Sequence, residues 1–433
     1  MHKILFLFDS TYGNAFFKGF AEELVKQGNQ VLFVNMHKAK LREIKKQIQD
    51  FQATILFSFN LFDFENFKKI LPQKKILFDI DTPENIINKK FFIREYNSNK
   101  EMHYVSIQSN YKYMLQKILP EITDYSRCHY MPVATSFCNI KSNKVRNIFF
   151  CSTNWDINLI ETLPNLNKKE LVKYYAALRE DYFANEKLYF KKESNVNSTL
   201  KWNIAGLERV NNLSMLSDLG LEIYGNKWDK LFYNLDVMSC LKYKKILNLQ
   251  ECEKYYNESK ISINFSHLQA KKAFSFRVMD IMATDSCLLM EDKEDWHNLF
   301  DKYLSQKTID SVIYKDKYDM REKAKKLLTD DELRKYCVKE LNYAIEQNGR
   351  WKYRIKNLEE ILNVTLRNPT MSGAFMEISI KKKKVIKKFQ FKKRYKLFIY
   401  SICLAFAQVP ILDLLQRKET RKKLRQKINK YWR

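Results

Sequence analysis

The chain is poor in the residues that loosen a backbone. Its 433 residues include only 8 Gly and 7 Pro. Fibrous glycine-rich chains and low-complexity linker proteins need far more of both, so those classes are excluded. The eight cysteines, Cys128, Cys138, Cys151, Cys240, Cys252, Cys287, Cys337 and Cys403, form no CxxC pair. Their scatter indicates neither a zinc site nor a disulfide framework, and reduced core thiols are expected. No repeat at solenoid periods is present. The apolar start, Met1 to Asp9, is too short and turns acidic too soon for a signal peptide, so a cytoplasmic protein is expected.

What is abundant is apolar. Hydrophobic residues make up 45% of the chain, with 30 Phe and 25 Tyr. A large core can be buried, which argues against global disorder. The length suggests two domains plus extensions. The net charge is +27, but it is uneven. Residues 381–433 hold 19 Lys and Arg against Asp413 and Glu419, a net +17 that leaves +10 for residues 1–380. A basic body would have pointed to nucleic acid. A basic tail on a milder body points to an anionic surface instead.

Short apolar runs alternate with helical stretches along most of the chain. The run at residues 3–8 reads as a strand buried on both faces. A polar turn follows, then a helix over about 15–27 ended by Gly28, then a strand at 31–34, which together open a βαβ unit. Further strands are expected at 54–59, 75–78, 104–107 and 130–133. A second series is expected at 147–151, 221–225, 261–265, 287–290 and 312–314, with a long helical stretch over about 158–210. The alternation implies α/β architecture, two doubly wound domains at 1–140 and 141–364. Residues 365–380 read as a linker. The apolar stretch 397–415, flanked by Lys and Arg, reads as an interfacial helix; a spanning helix or one packed on the body are the alternatives.

Open α/β sheets bind ligands at the carboxyl ends of their strands. The richest such loop follows Asn264, a donor-site candidate itself, as is Ser266. Ser275 is placed to cap a helix with Arg277 in its first turn. With Lys271 and Lys272, that helix start could hold a diphosphate. Asp280, one turn on, could accept hydrogen bonds from ribose hydroxyls; a surface ion pair with Arg277 is the plainer reading. His267 could touch a sugar hydroxyl or phosphate. Trp228, after Gly225-Asn226, could stack on a base or fill the core. In the first half, Asp81 could take a proton from an acceptor hydroxyl or cap the helix near Pro83. Gly13 and Asn14 could approach a ligand through the backbone. His103 and His129 read as buried or edge histidines.

The order of these segments resembles the CgeB-like glycosyltransferases, relatives of the family 4 glycosyltransferases. The match runs through Asn257-Glu258-Ser259-Lys260-Ile261, Asn264, Arg277-Val278-Met279-Asp280 and Glu291-Asp292. It continues in Trp296-His297-Asn298-Leu299-Phe300, with Tyr224-Gly225-Asn226-Lys227-Trp228 upstream and Arg350-Trp351-Lys352-Tyr353-Arg354 closing the domain. In the first half, Phe78-Asp79-Ile80-Asp81-Thr82-Pro83 and Tyr130-Met131-Pro132-Val133-Ala134 are similar to family stretches. Here Asp280 replaces a Glu, Thr284-Asp285 replaces a small residue and Gly, and Lys272 stands where family 4 relatives carry another Glu. The resemblance, over roughly residues 1–362, implies a GT-B fold, two Rossmann-like domains facing across a cleft, to which the charge pattern adds the basic helical tail. It implies transfer of a sugar from a nucleotide-sugar donor to a cell-surface glycan or lipid-linked acceptor. The donor would lie on the second domain, contacted by Gly225, Asn226, Trp228, Asn264, Ser266, Lys271, Lys272, Ser275, Arg277 and Asp280. The acceptor would lie near Gly13, Asn14 and Asp81, with Asp81 and His267 as catalytic candidates. No metal or other cofactor is expected, since basic residues and helix dipoles would neutralise the leaving diphosphate. The expected place is the inner face of the cytoplasmic membrane, held by residues 381–433. A catalytically silent GT-B scaffold that binds glycan or a partner enzyme is the alternative.

Overall fold

The computed structural model describes residues 1–8, 13–36, 41–59, 67–86, 88–154, 176, 180, 182, 194–228, 234–243 and 247–378. Residues 1–379 form one compact unit. The tail at 381–433, most of the expected helix over 158–210 and the turn at 9–12 lie outside the described residues.

The first six strands are β1 (Lys3–Phe8), β2 (Gln30–Asn35), β3 (Ile55–Phe59), β4 (Lys74–Asp79), β5 (Met102–Ser106) and β6 (Cys128–Tyr130). The next six are β7 (Arg146–Cys151), β8 (Leu221–Tyr224), β9 (Leu241–Tyr243), β10 (Ser259–Asn264), β11 (Cys287–Glu291) and β12 (Ile313–Tyr314). A last strand, β13 (Ala374–Ile378), completes the set among the described residues. They form two parallel sheets, ordered β13-β2-β1-β3-β4-β5-β6 and β12-β11-β10-β7-β8-β9. Continuous apolar runs make these strands because helices cover both faces of each sheet. Ile4, Leu5, Phe6 and Leu7 are each 0% exposed. Phe6 packs edge-on against Phe20 and Phe57, with ring centroids 5.4 and 5.3 Å away. Each such buried ring contributes roughly 1.5–3 kcal/mol by leaving water.

The end of the described chain returns to the first sheet. Trp351 opens the helix Trp351–Leu362 and stacks on Phe20 at 4.8 Å. Ile355, Leu358, Leu362 and Leu366 join the same core as Phe6 and Phe57. The strand β13 then pairs in parallel with β2, from Ala374↔Gln30 to Ile378↔Val34. The expected boundaries put residues 351–364 in the second domain and 365–380 in a linker. Instead the helix Trp351–Leu362 and the strand β13 pack on the first sheet, because Trp351 and its apolar stripe find their partners there.

Polar contacts join the two halves. Thr135, just after β6, donates to Asp280 at 2.6 Å. Ser109, after β5, donates its N–H to Asp295 at 3.1 Å. Arg354, 2% exposed, donates to the carbonyls of Pro132 and Val133 and thereby clamps the crossing segment.

Candidate functional site

The carboxyl ends of β10, β11 and β12 converge on a cavity of about 610 Å³. The helix Ser194–Ser214 forms one wall, through Ile204, Glu208 and Arg209. The loop after β10 supplies Phe265, Ser266 and His267, and the ends of β11 and β12 supply Glu291 and Tyr314. The volume falls in the usual range for small-ligand sites.

Arg209 is the chemical focus of the cavity. It is 5% exposed and donates to the Ser152 hydroxyl at 3.0 Å and to the Thr153 carbonyl at 3.1 Å. Burial pushes its guanidinium down to about 9, and the like charge of Arg277 adds to the push, while Glu291 and Tyr314 oppose it. A buried cation under that pressure gains by meeting an anion. Nothing in the sequence marked Arg209, which sits mid-helix with no motif around it. Glu291 accepts the Ser266 N–H at 2.8 Å and lies 3.5 Å from Lys293, which also lines the cavity.

The expected donor residues divide into two groups. Ser266, His267 and Lys271 line the cavity. His267 is 9% exposed, accepts the Gln269 N–H at 3.2 Å and packs edge-on against Tyr182 at 5.8 Å. Lys271 donates to the Glu180 carbonyl. Lys272 pairs with Glu294 at 2.7 Å and does not line the cavity.

Arg277 and Asp280 do not line it either. Their helix, Phe276–Met282, is seven residues long and buries Val278, Met279, Asp280, Ile281 and Met282. Burial works to lower the Arg277 pKa, but Cys151, Tyr256 and Cys252 outweigh it and hold the guanidinium above its ordinary value. Asp280 is 7% exposed. Burial raises its carboxyl to about 7, against the Thr135 hydrogen bond and the charge of Arg277. Neither the surface ion pair nor an open diphosphate cradle is formed. Ser275 does occupy the N-cap position, but its hydroxyl donates to Asn264 at 3.2 Å rather than capping the helix.

Trp228 does not offer a face to a base. It is 1% exposed, its indole N–H donates to the Ser152 carbonyl at 2.7 Å, and its ring meets Phe150 edge-on. Gly225 is required by the same close approach. Its φ is 146°, and a Cβ there would lie 1.9 Å from the Ser152 carbonyl oxygen. The Asn226 carbonyl accepts the Asn154 N–H at 3.1 Å, tying β8's end to β7's. Asp285 accepts from Lys141 at 2.6 Å and Lys144 at 2.8 Å, which accounts for an acid where the resembled family has Gly.

In the first half, Asp81 is exposed and Thr82, not Asp81, occupies the N-cap of the turn Pro83–Asn85. Its neighbour Asp79 is fully buried. Burial raises the Asp79 carboxyl to about 7, a Tyr104 hydrogen bond opposes the rise, and Asp81 adds to it. Gly13 opens the helix Gly13–Lys26, which also contains Asn14. His103 and His129 contact each other at 3.1 Å on neighbouring strands. Among the described residues no three His, Cys, Asp or Glu side chains gather as metal ligands would. Among the same residues no helix is long and apolar enough to cross a membrane.

Residues 207–360, roughly a third of the chain, match the family described as "Glycosyl transferase-like". Among curated proteins none matches this sequence. In fold, the chain is similar to the T4 phage BGT in complex with its UDP-glucose substrate, with a TM-score of 0.51 and 10% identity over 84% of this chain and 100% of that one. It is similar as well to sucrose-phosphate synthase from Thermosynechococcus elongatus, with a TM-score of 0.51 and 6% identity over 84% of this chain and 98% of that one. The fold is therefore GT-B, and residues 207–360 resemble a glycosyl transferase domain.

Proposed function

We propose that the cavity holds a nucleotide-sugar donor and that the chain transfers its sugar to a glycan or lipid-linked acceptor. One observation carries this reading: a buried guanidinium, Arg209, faces a cavity of about 610 Å³ at the carboxyl edge of the second sheet. A diphosphate in the cavity would add charge-assisted hydrogen bonds to this buried guanidinium. Ser266, His267 and Lys271 share the cavity and are placed to meet the phosphates or the sugar. No metal enters the reading, because cationic side chains can stabilise the leaving diphosphate. The finer likeness to CgeB-like transferases rests on the segment order around Asn264, Arg277 and Asp280. The basic tail, 381–433, would hold the enzyme on the inner face of the cytoplasmic membrane beside its acceptor.

A thermal-shift screen of UDP-, GDP- and CDP-sugars on the full chain tests the donor site. At least one should raise the melting temperature by several degrees near saturation. If none does, the second reading stands, a silent scaffold, for which the pairing of Lys272 with Glu294 and of Asp280 with Thr135 speaks.

A further inference from the structure

The seam between the two halves contains a group of buried polar atoms that have no use in the donor site. Asp295, in the first turn of the helix Glu294–Phe300, is 1% exposed. Ser109 from the first half holds its Oδ2 through the N–H at 3.1 Å, while its Oδ1 is buried with no hydrogen-bond partner. Tyr130 ends β6, and its phenolic oxygen is likewise buried without a partner. The two side chains sense each other: burial raises the Tyr130 pKa, and the charge of Asp295 raises it further. Gln108 Oε1 and Thr82 Oγ1, at the same carboxyl edge of the first sheet, are also buried and unpartnered. Buried polar atoms are almost always satisfied, so the Asp295 and Tyr130 oxygens call for a partner.

A carboxylate oxygen can only accept and a phenol can donate. One group satisfies both at once: a hydroxyl, which donates to Asp295 Oδ1 and accepts from Tyr130. Asp295 stands two residues beyond Lys293, which lines the donor cavity, and accepts the Ser109 N–H from the first half. The geometry points to a hydroxyl-binding subsite for the sugar acceptor, formed by Asp295 and Tyr130 across the seam. This inference rests on the transferase reading above. Entry requires the two halves to part at the Ser109–Asp295 hydrogen bond and to close again over the bound hydroxyl.

The test uses the full chain saturated with UDP, with methyl β-D-glucopyranoside as the hydroxyl probe, followed by isothermal titration. Asp295→Asn and Tyr130→Phe keep the shape of each side chain, and Asn can still accept from Ser109. Each variant should weaken the glycoside at least tenfold, since each removes or halves a bond to a charged or buried partner. The melting shift given by the best nucleotide sugar should stay as in the wild type. Equal glycoside affinity in all three proteins overturns the subsite, and so does wild type that ignores the glycoside while still responding to a nucleotide sugar. A parallel loss of nucleotide-sugar response in both variants marks the pair as structural and overturns it too. If no nucleotide sugar shifts even the wild type, it is the donor reading that fails.

Discussion

Replacing Arg209 by Met should make the free protein more stable and the donor complex weaker. The fall of Arg209 from 12.5 to about 9 measures how poorly its charged form fits the folded state. A fall of that size corresponds to roughly 5 kcal/mol of destabilisation at neutral pH. The cost is full at every pH below about 9 and disappears only as pH rises from there towards 12.5. Met removes the charge and keeps most of the length. It also removes the bonds to Ser152 and Thr153, at about 1 kcal/mol each. The net gain is about 3 kcal/mol, enough to raise the melting temperature by roughly 3 °C for a chain of this size. It should be constant between pH 6 and 8. Binding moves the other way. A charge-assisted contact to a diphosphate is worth about 1.5–3 kcal/mol, so the dissociation constant should rise roughly 10- to 100-fold. Thermal unfolding with and without a saturating nucleotide sugar reads both effects in one series. A variant that melts lower than wild type when unliganded, or that binds the donor as well as wild type, refutes the reasoning.

Three further outcomes follow from the same geometry. Trp228→Phe loses the bond to the Ser152 carbonyl and leaves that oxygen buried, so urea unfolding should show a loss of about 1–3 kcal/mol while nucleotide-sugar affinity holds within twofold; a selective loss of affinity would restore the base-stacking role. Asp280 has a folded pKa raised from 3.8 to about 7, so its contribution is full below 3.8 and is lost as pH rises through about 7. Asp280→Asn escapes that loss, and its stability relative to wild type should grow by up to roughly 4 kcal/mol between pH 4 and pH 8 in urea titrations; a pH-independent difference counts against a buried carboxylate. Truncation after residue 378 keeps β13 paired with β2 and removes the +17 tail. The truncated protein should melt as the full chain does but stay in the supernatant with anionic vesicles that pellet the full chain at low salt; equal pelleting excludes the tail as the anchor.

The strands were legible because parallel strands covered on both faces are written as unbroken apolar runs, as at Ile4–Phe8 and Ile55–Phe59. Two strands escaped that signal. Leu241–Tyr243 is three residues long, and Ala374–Ile378 is an edge strand with Met376 41% exposed, so neither carries a full apolar run. The pairing of β13 with β2 joins residues more than 340 positions apart, and no local pattern can announce it. The loop after β10 was found because its polar residues follow a strand directly. Arg209 was not, since its role comes from being carried by a helix to the ends of β7 and β10. The return of Trp351 to the first half was missed for the same reason: an apolar stripe says that a partner exists, not which one.

The spacing of Arg277 and Asp280 placed both on one face of a short helix, and in water that would have been a sufficient argument. The helix is not in water. With five consecutive residues buried, its charged pair had to find partners inside, and each found a different one. Asp280 reaches across the seam to Thr135, while Arg277 lies against Cys151 at the end of β7. Cys151 responds: a hydrogen bond with Cys252 lowers its thiol below the ordinary range, burial opposes the fall, and Arg277 assists it. Arg277 therefore reaches the cavity only at one remove, through the repulsion that helps hold Arg209 below its ordinary pKa. That places the two arginines in different roles. Arg209 lines the cavity, while Arg277 acts on it from outside through like-charge repulsion, a cost that a bound diphosphate would oppose.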